Sequence, residues 1–429
     1  MVGKAYTATV TLTANENYVF AANQNLSVSI NGQNAAVTNN GSTITLSYAF
    51  AIIADSANVG MDGTTEATAF KVYDVATLNR VGKGTGDWVG NWSLSAHYEQ
   101  IADIILPPVN EGESNWIAIG GSSNLFTGTY NGGEYTISNL TINISADYQG
   151  MFGYIGTGGI VKNVGLVGGS VSGGSFVGGV VGMSFGGTVQ NCYSTGSGSG
   201  NNHVGGVVGN NYNSGTVQDC YFTGSVSGNN YGVGGVVGDN RGAVQNCYST
   251  GSVSGSSSNG VGGVVGESDF GGSNGTVQNC YSTVSVSVSG SGVYVGGVVG
   301  RGGLRNSSNE HQEGTAVQNC VALNNNSGTS IRRRIGVIVT GSIGNIFKNN
   351  YARSDMTLTN YTPTPDLNGE DGANITSAQY NSESWWKNAG NWRTTDGGSA
   401  WDFVNVWEWG ANNLPILRNV GGVQNHTVQ

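Results

Sequence analysis

The sequence predicts an all-β protein whose body is a right-handed parallel β-helix, or β-solenoid, carrying a β-sandwich-like module at its amino end and a tryptophan-rich cap at its carboxyl end. Three observations point there. A short motif recurs at a near-constant interval. Glycine supplies 73 of the 429 residues while only 10% are charged, against roughly 25% charged in average domains. The Val-rich runs are short and punctuated by Gly, Ser and Asn, which suits strands and gives helices little support.

The repeat has two parts. VGGVVG begins at Val177, Val204, Val233, Val261 and Val295, with weaker copies at Met151 (MFGYIG) and Ile335 (IGVIVT), so successive starts are 26, 27, 29, 28, 34 and 40 residues apart. Each is followed by V-x-N/D-C, at Val189 to Cys192, Val217 to Cys220, Val244 to Cys247, Val277 to Cys280 and Val317 to Cys320. Degenerate copies stand at Ile137 to Leu140, Val161 to Val164 and Phe347 to Asn350, giving eight coils. A period near 27 residues fits one solenoid coil of two or three short strands, each pairing in parallel with its counterpart one coil on. Spacing of about 4.8 Å per coil makes seven steps a rod of roughly 34 Å, and right-handed winding is the rule for parallel crossovers.

Alternation along each strand sets side-chain direction. With Val189 inward and Asn191 at a bend, Cys192 and Ser194 point inward and Tyr193 outward. Cys192, Cys220, Cys247, Cys280 and Cys320 are expected to stack inside as free thiols acting as small core hydrophobes. A line of thiols does not converge on one point and no CxxC pair occurs, so no metal and no cofactor is expected. Asn191, Asp219, Asn246, Asn279 and Asn319 should form a polar ladder at the bend. The outward Tyr193, Tyr221, Tyr248 and Tyr281, continued by Val321 and Tyr351, are the most regular exposed feature expected, and stacked aromatics along a rod suit sugar rings or peptide contacts. The competing reading is a Tyr stack that only supports itself.

The chain divides into residues 1–55, an immunoglobulin-like β module; 56–365, the solenoid with its lead-in; and 366–429, the cap. From Tyr6 to Phe50 apolar residues alternate (Tyr6, Ala8, Val10, Leu12; Leu26, Val28, Ile30 before Asn31-Gly32; Ile44, Leu46, Tyr48), the mark of hairpins. A short helix capped by Asp74, with Val75, Leu78 and Val81 three apart, would cover the first coil. At the other end six of nine tryptophans fall between Trp385 and Trp409 and read as a plug over the last coil; a sugar-binding Trp platform is the alternative.

VGGVVG…GTVQNCYSTGSVSG resembles the GLUG motif, named for its Gly-Leu-any-Gly core, which occurs in bacterial surface adhesins and beside IgA-specific metallopeptidases. GLVGG at Gly165 to Gly169 comes close to that core, and Ala102 to Leu140 is similar to the lead-in placed before the first coil in such proteins. The resemblance spans about Phe70 to Asn419 and implies display on the bacterial cell surface, outside the cell. It does not carry over peptidase chemistry, because His97, His203, His311 and His426 lack the Glu-x-x-His context of a zinc helix.

Composition narrows the partners. A net charge of -10 with 16 Lys and Arg leaves little to neutralise phosphates apart from Arg332 to Arg334, so nucleic acid is not expected. No stretch approaches the roughly 20 apolar residues of a spanning helix, so this segment is not expected to insert in a membrane. The absence of a leader and the start near Tyr6 are read as excision of a monomeric segment from a longer precursor. The expected role is non-catalytic: an adhesin or stalk binding a host or matrix glycan or protein. The alternative is a polysaccharide-active enzyme. For that reading the nearest approach to a carboxylate pair is Asp239 with Glu267, which occupy equivalent positions in adjacent coils where Asn210 and Arg301 stand in the neighbouring copies; about 5 Å of separation would suit a retaining glycosidase. The insertion Arg301 to Gly314 presents Glu310, His311 and Glu313 as a possible metal or ligand loop, or as partners for Arg332 to Arg334.

Overall fold

The structure is a computed structural model. It describes the chain apart from residues 1–5, 17, 22–28, 31–32, 35, 51–55, 85–90, 257–259, 269–274, 291–293, 304–316, 325–332, 339–346, 357, 359–360, 393–400, 425–427 and 429. The body is a parallel β-solenoid. Two ten-stranded sheets, a nine-stranded sheet and a seven-stranded sheet run its length, and strands pair coil to coil in parallel.

One coil shows how the sequence builds the rest. Thr216–Gln218 leads to a bend at Asp219, then come Tyr221–Phe222, Ser225–Gly234 and Val237–Asn240. There are thus four strands per coil where two or three were expected. The difference lies within VGGVVG, which is not one strand: the chain bends at its centre, with Gly206 and Val207 between Ser197–Gly205 and Val208–Tyr212. The bend needs glycine because backbone from the same motif and from the next coil comes too close for a side chain. A Cβ on Gly205 would lie 2.0 Å from the carbonyl oxygen of Val208, and one on Gly206 would lie 2.3 Å from that of Gly235. The three valines of each motif, Val204, Val207 and Val208 in this copy, are wholly buried.

The second motif behaves as its alternation predicts. All five cysteines are buried free thiols, and each sulfur reaches the carbonyl two residues back, as Cys220 Sγ does to Gln218 at 3.0 Å. Burial pushes the thiols of Cys220 and Cys280 up, so they stay protonated. At the bend Asn163, Asn191, Asp219, Asn246, Asn279, Asn319 and Asn349 all take the left-handed backbone conformation, φ 52–57°, which Asn and Asp tolerate best among residues with a side chain. Their side chains bond coil to coil: Asn191 to Asn163 (3.0 Å), Asn246 to Asp219 (2.9 Å), Asn279 to Asn246 (3.2 Å) and Asn319 to Asn279 (3.3 Å).

At the amino end of the core the helix Val75–Leu78 is capped by Asp74 through a capping box with Thr77. Leu78 and Val81 join Phe70, Trp92 and Tyr98 in the apolar interior of the first turn, where Phe70 stacks on Trp92 at 4.6 Å. Before it, Tyr6–Thr13, Ala36–Asn39 and Thr43–Phe50 form a three-stranded antiparallel sheet. Ser29–Ile30 pairs with Gln33–Asn34 as the hairpin pattern predicts. Among the described residues this is a single layer, and Val10 and Leu12 on its edge strand are each 48% exposed.

The carboxyl end departs from the expected plug. Only its first part closes the last coil: Ala373–Ile375 extends the sheet beside Tyr351–Arg353, and the amides of Ile335 and Gly336 donate to the Glu370 carbonyl. Buried Arg334 is held there by Asn374 and by the carbonyls of Gly372 and Arg353. Arg333 pairs with Glu370 at 2.8 Å, so the arginine run meets acids of this closing segment. Arg332 and the insertion's Glu310, His311 and Glu313 lie outside the described residues. The tryptophan-rich remainder lies along the flank of the rod.

Candidate functional site

The tyrosine row leaves the coil interior as predicted and stacks face to face: Tyr193 to Tyr221 at 4.8 Å, Tyr221 to Tyr248 at 5.1 Å, Tyr248 to Tyr281 at 5.0 Å, with planes within 11°. It is not exposed, which corrects the expectation of an open stripe. Tyr193 is 4% exposed and Tyr221, Tyr248 and Tyr281 are at 0%. Trp386, Trp401 and Trp407 lie 5.9–6.2 Å from Tyr281. The hydroxyls are used as well: Tyr221 donates to the Gly421 carbonyl (2.8 Å), Tyr248 to Gln424 Oε1 (2.9 Å), Tyr281 to the Pro415 carbonyl (2.6 Å) and Tyr351 to the Asn391 carbonyl (2.8 Å). Burial raises the phenol pKa throughout the row. A buried phenol needs both apolar cover and a hydrogen-bond partner, and the terminal module supplies both. The tryptophans themselves are packing: Trp386, Trp401 and Trp407 are at most 2% exposed.

A second aromatic row stays partly open. Tyr148, Phe176 and His203 occupy one position in successive coils and stack at 5.0 and 5.2 Å with planes within 9°. Tyr231 follows His203 at 6.3 Å and is 40% exposed. All of Tyr148, Phe176 and His203 have φ between 53 and 62°, a shared kink that turns their rings out beside the next strand. Phe185 and Tyr212 stack nearby at 5.6 Å.

Parallel to this row runs a polar ladder in register, Asn210 beside Asp239 beside Glu267 beside Arg301. The pairing of Asp239 with Glu267 read from the repeat is therefore correct. Asn210 Nδ2 donates to Asp239 Oδ2 at 3.1 Å. Arg241 Nε stands 3.4 Å from Asp239 and Arg301 Nη1 3.6 Å from Glu267. The two guanidiniums also cover the rings of Tyr212 and Tyr294. His203 Nδ1 lies 3.9 Å from Asp239 Oδ2, and His203, Asp239 and Glu267 each offer a ligand atom within 4.8 Å of the others. His203 had no role in the sequence reading beyond lacking a zinc-helix context. Its signal was positional: it stands seven residues before Asn210, as Gly232 stands before Asp239 and Gly260 before Glu267.

Comparison with known proteins agrees with the repeat. A family profile described as "The GLUG motif" matches residues 200–227. Halomucin of Haloquadratum walsbyi is 31% identical over 144 residues, 32% of this chain and 2% of that protein. A putative Gly-rich membrane protein of Evansella cellulosilytica is 32% identical over 111 residues, 25% of this chain and 12% of that protein. The chain thus spans a small fraction of these relatives. A putative immunoglobulin A1 protease from Bacteroides ovatus superposes with a TM-score of 0.54 at 19% identity, over 83% of this chain and 94% of that one, which establishes likeness of fold. The motif, the coil-to-coil register and these comparisons agree on one architecture: the chain is a parallel β-solenoid whose repeat is similar to the GLUG motif.

Proposed function

We propose that the chain is a non-catalytic segment of a bacterial cell-surface protein, an adhesin or stalk that binds a glycan or protein along the open flank of its solenoid. The observation that carries this reading is the partly exposed stack of Tyr148, Phe176 and His203, whose parallel rings repeat at the spacing of the coils, with the 40% exposed Tyr231 beside it one residue off register. Stacked ring faces with adjacent polar groups suit sugar rings and peptide side chains. The surface setting is supported by the GLUG repeats and by the names of the two relatives. The Tyr193, Tyr221, Tyr248 and Tyr281 row becomes a structural seam, since a ligand would have to displace the terminal module to reach it.

A polysaccharide-active enzyme is the second reading, favoured by the adjacency of Asp239 and Glu267. Both carboxylates face guanidiniums, an arrangement that serves charge pairing better than the division into a protonated acid and a free nucleophile that glycoside cleavage needs. A glycan array combined with a lyase and hydrolase screen on the same purified chain tests both. Binding without turnover, weakened several-fold by Phe176→Ala with Tyr231→Ala, is expected. Turnover abolished by Asp239→Asn would replace this proposal with the enzymatic one, and the absence of any binding would end both.

A further inference from the structure

We propose that His203, Asp239 and Glu267 form a binding site for a divalent transition-metal ion of the zinc class, held across three successive coils of the open flank. This goes beyond the ligand reading above and does not depend on it.

A single ladder cannot make such a site, because it spreads its side chains along a line. Here two ladders meet. His203 comes from the aromatic row and the two carboxylates from the polar row, so three donors form a triangle with no side longer than 4.8 Å. Zinc takes nitrogen and oxygen ligands at about 2.0–2.2 Å, which places donors about 3.5 Å apart around one ion. Small side-chain rotations close the difference. One imidazole with two carboxylates suits zinc or manganese better than calcium or magnesium, which prefer oxygen alone.

The surroundings look built for this triangle. The aromatic row holds a ring at Tyr148, at Phe176 and again at Tyr294, but at the two coils beside Asp239 and Glu267 it holds Gly232 and Gly260. A Cβ on Gly232 would sit 3.2 Å from His203 Nδ1, and one on Gly260 would sit 2.7 Å from Glu267 Cγ. Any larger residue would fill the space between the donors. The plane of the imidazole is set by its stack on Phe176 at 5.2 Å, and its Nδ1 lies 3.9 Å from Asp239 Oδ2. Asn210 is 4% exposed and bonds Asp239 through Nδ2, while its own Oδ1 is buried with no hydrogen-bond partner among the described residues. Turning that amide over would offer a fourth oxygen donor in the same place.

The two arginines must also be accommodated. Arg241 and Asn210 meet Asp239 at Oδ2, the oxygen that faces His203, so an ion bound there replaces the Arg241 contact on Oδ2 and leaves Oδ1 to the guanidinium. Arg241 and Arg301 already lie over Tyr212 and Tyr294 and can stay there as outer partners of the ligating carboxylates, the kind of contact that orients metal ligands.

The test is titration of the chelator-treated full chain with ZnCl2, MnCl2 and CaCl2 by calorimetry, with Co2+ absorbance as a second readout. One equivalent of Zn2+ should bind, with a d–d band on Co2+ loading, and Ca2+ should bind far more weakly. Asp239→Asn and Glu267→Gln preserve size, and each should weaken Zn2+ at least tenfold, as should His203→Gln. Apo thermal melts of the variants report whether the fold persists; with two isosteric variants available, loss of fold in one leaves the other to decide. Absence of one-equivalent binding, or Zn2+ binding unchanged in all three folded variants, overturns the proposal, the latter by assigning the ion to thiols or other histidines.

Discussion

The two aromatic rows are made by the same rule and meet opposite fates. Both set rings at equivalent positions of successive coils and stack them at about the coil spacing, yet Tyr248 is fully buried while the row of Tyr148, Phe176 and His203 is partly open and Tyr231 beside it is 40% exposed. The difference is not in the coils. It lies in what covers them: the tyrosine row is sealed by tryptophans and carbonyl acceptors from residues 386–424, while no described segment seals the row through Phe176 and His203. A solenoid therefore offers several equivalent flanks, and the terminal module decides which remains available for a ligand.

The strongest way to break this comparison is to remove the seal. Ending the chain after Ile375 keeps the strand that closes the last coil but uncovers Tyr193, Tyr221, Tyr248 and Tyr281 with Val321 and Leu323. A continuous apolar stripe of this kind invites association. The truncated chain is expected to aggregate or to bind a hydrophobic dye strongly; a soluble monomer without dye binding, by light scattering and fluorescence, would show that the module is not a seal.

Next in size is the double change Tyr221→Ser with Tyr248→Ser. On an exposed stripe it would leave the fold intact. In a buried seam it removes two large rings and two hydroxyls bonded to Gly421 and Gln424, at about 3–5 kcal/mol for each ring by analogy with large-to-small core changes. Chemical denaturation should find the double variant largely unfolded or markedly weakened.

How far the sequence carried can be judged on these same residues. V-x-N-C alternation fixes which side chains enter the coil, because a strand has period two and the bend falls at a residue that accepts a left-handed conformation. That is enough for the Cys and Asn ladders and for the pairing of Asp239 with Glu267. It says nothing of what lies outside the coil. Tyr221 meets Gly421 across 200 residues, and no local pattern encodes that contact. His203 and Asp239 are likewise joined only by coil register and by a shared kink at the aromatic position. The four-strand coil was hidden because Gly-Gly inside VGGVVG reads equally well as part of a strand.

A change inside the coil gives an intermediate effect. Asp219 holds an Asn position in the bend ladder, and burial raises its carboxyl from 3.8 to about 6, with the Asn246 hydrogen bond opposing the shift. A raised folded-state pKa means the native chain binds the proton more tightly than the unfolded one, so stability falls as pH rises from about 4 to about 6 and the cost is fully present above that. Asp219→Asn should therefore stabilise by about 3 kcal/mol at pH 7, given about 1.4 kcal/mol per pKa unit, and by little at pH 4. Its amide would also be able to donate to Asn191, as the neighbouring ladder members do. Denaturant melts at the two pH values check it, and an equal gain at both would assign the effect to the hydrogen bond alone.

The smallest expected effect sharpens the comparison from the open side. Tyr231→Ser removes a ring from the same kind of stack as Tyr248→Ser, but the ring is already 40% in solvent and stacks on His203 at 6.3 Å rather than about 5 Å. Little apolar area returns to water on its removal, so the cost should be about 0.5–1 kcal/mol, several-fold below that of Tyr248→Ser measured alone in the same buffer. The ratio of the two matters more than either value, because both substitutions delete the same atoms from a stacked ring, one under the cover of the terminal module and one at a looser, off-register position open to solvent. Equal losses would mean that stacking within the row, and not the terminal module, stabilises the tyrosines, and the seam would then owe its order to the coils themselves.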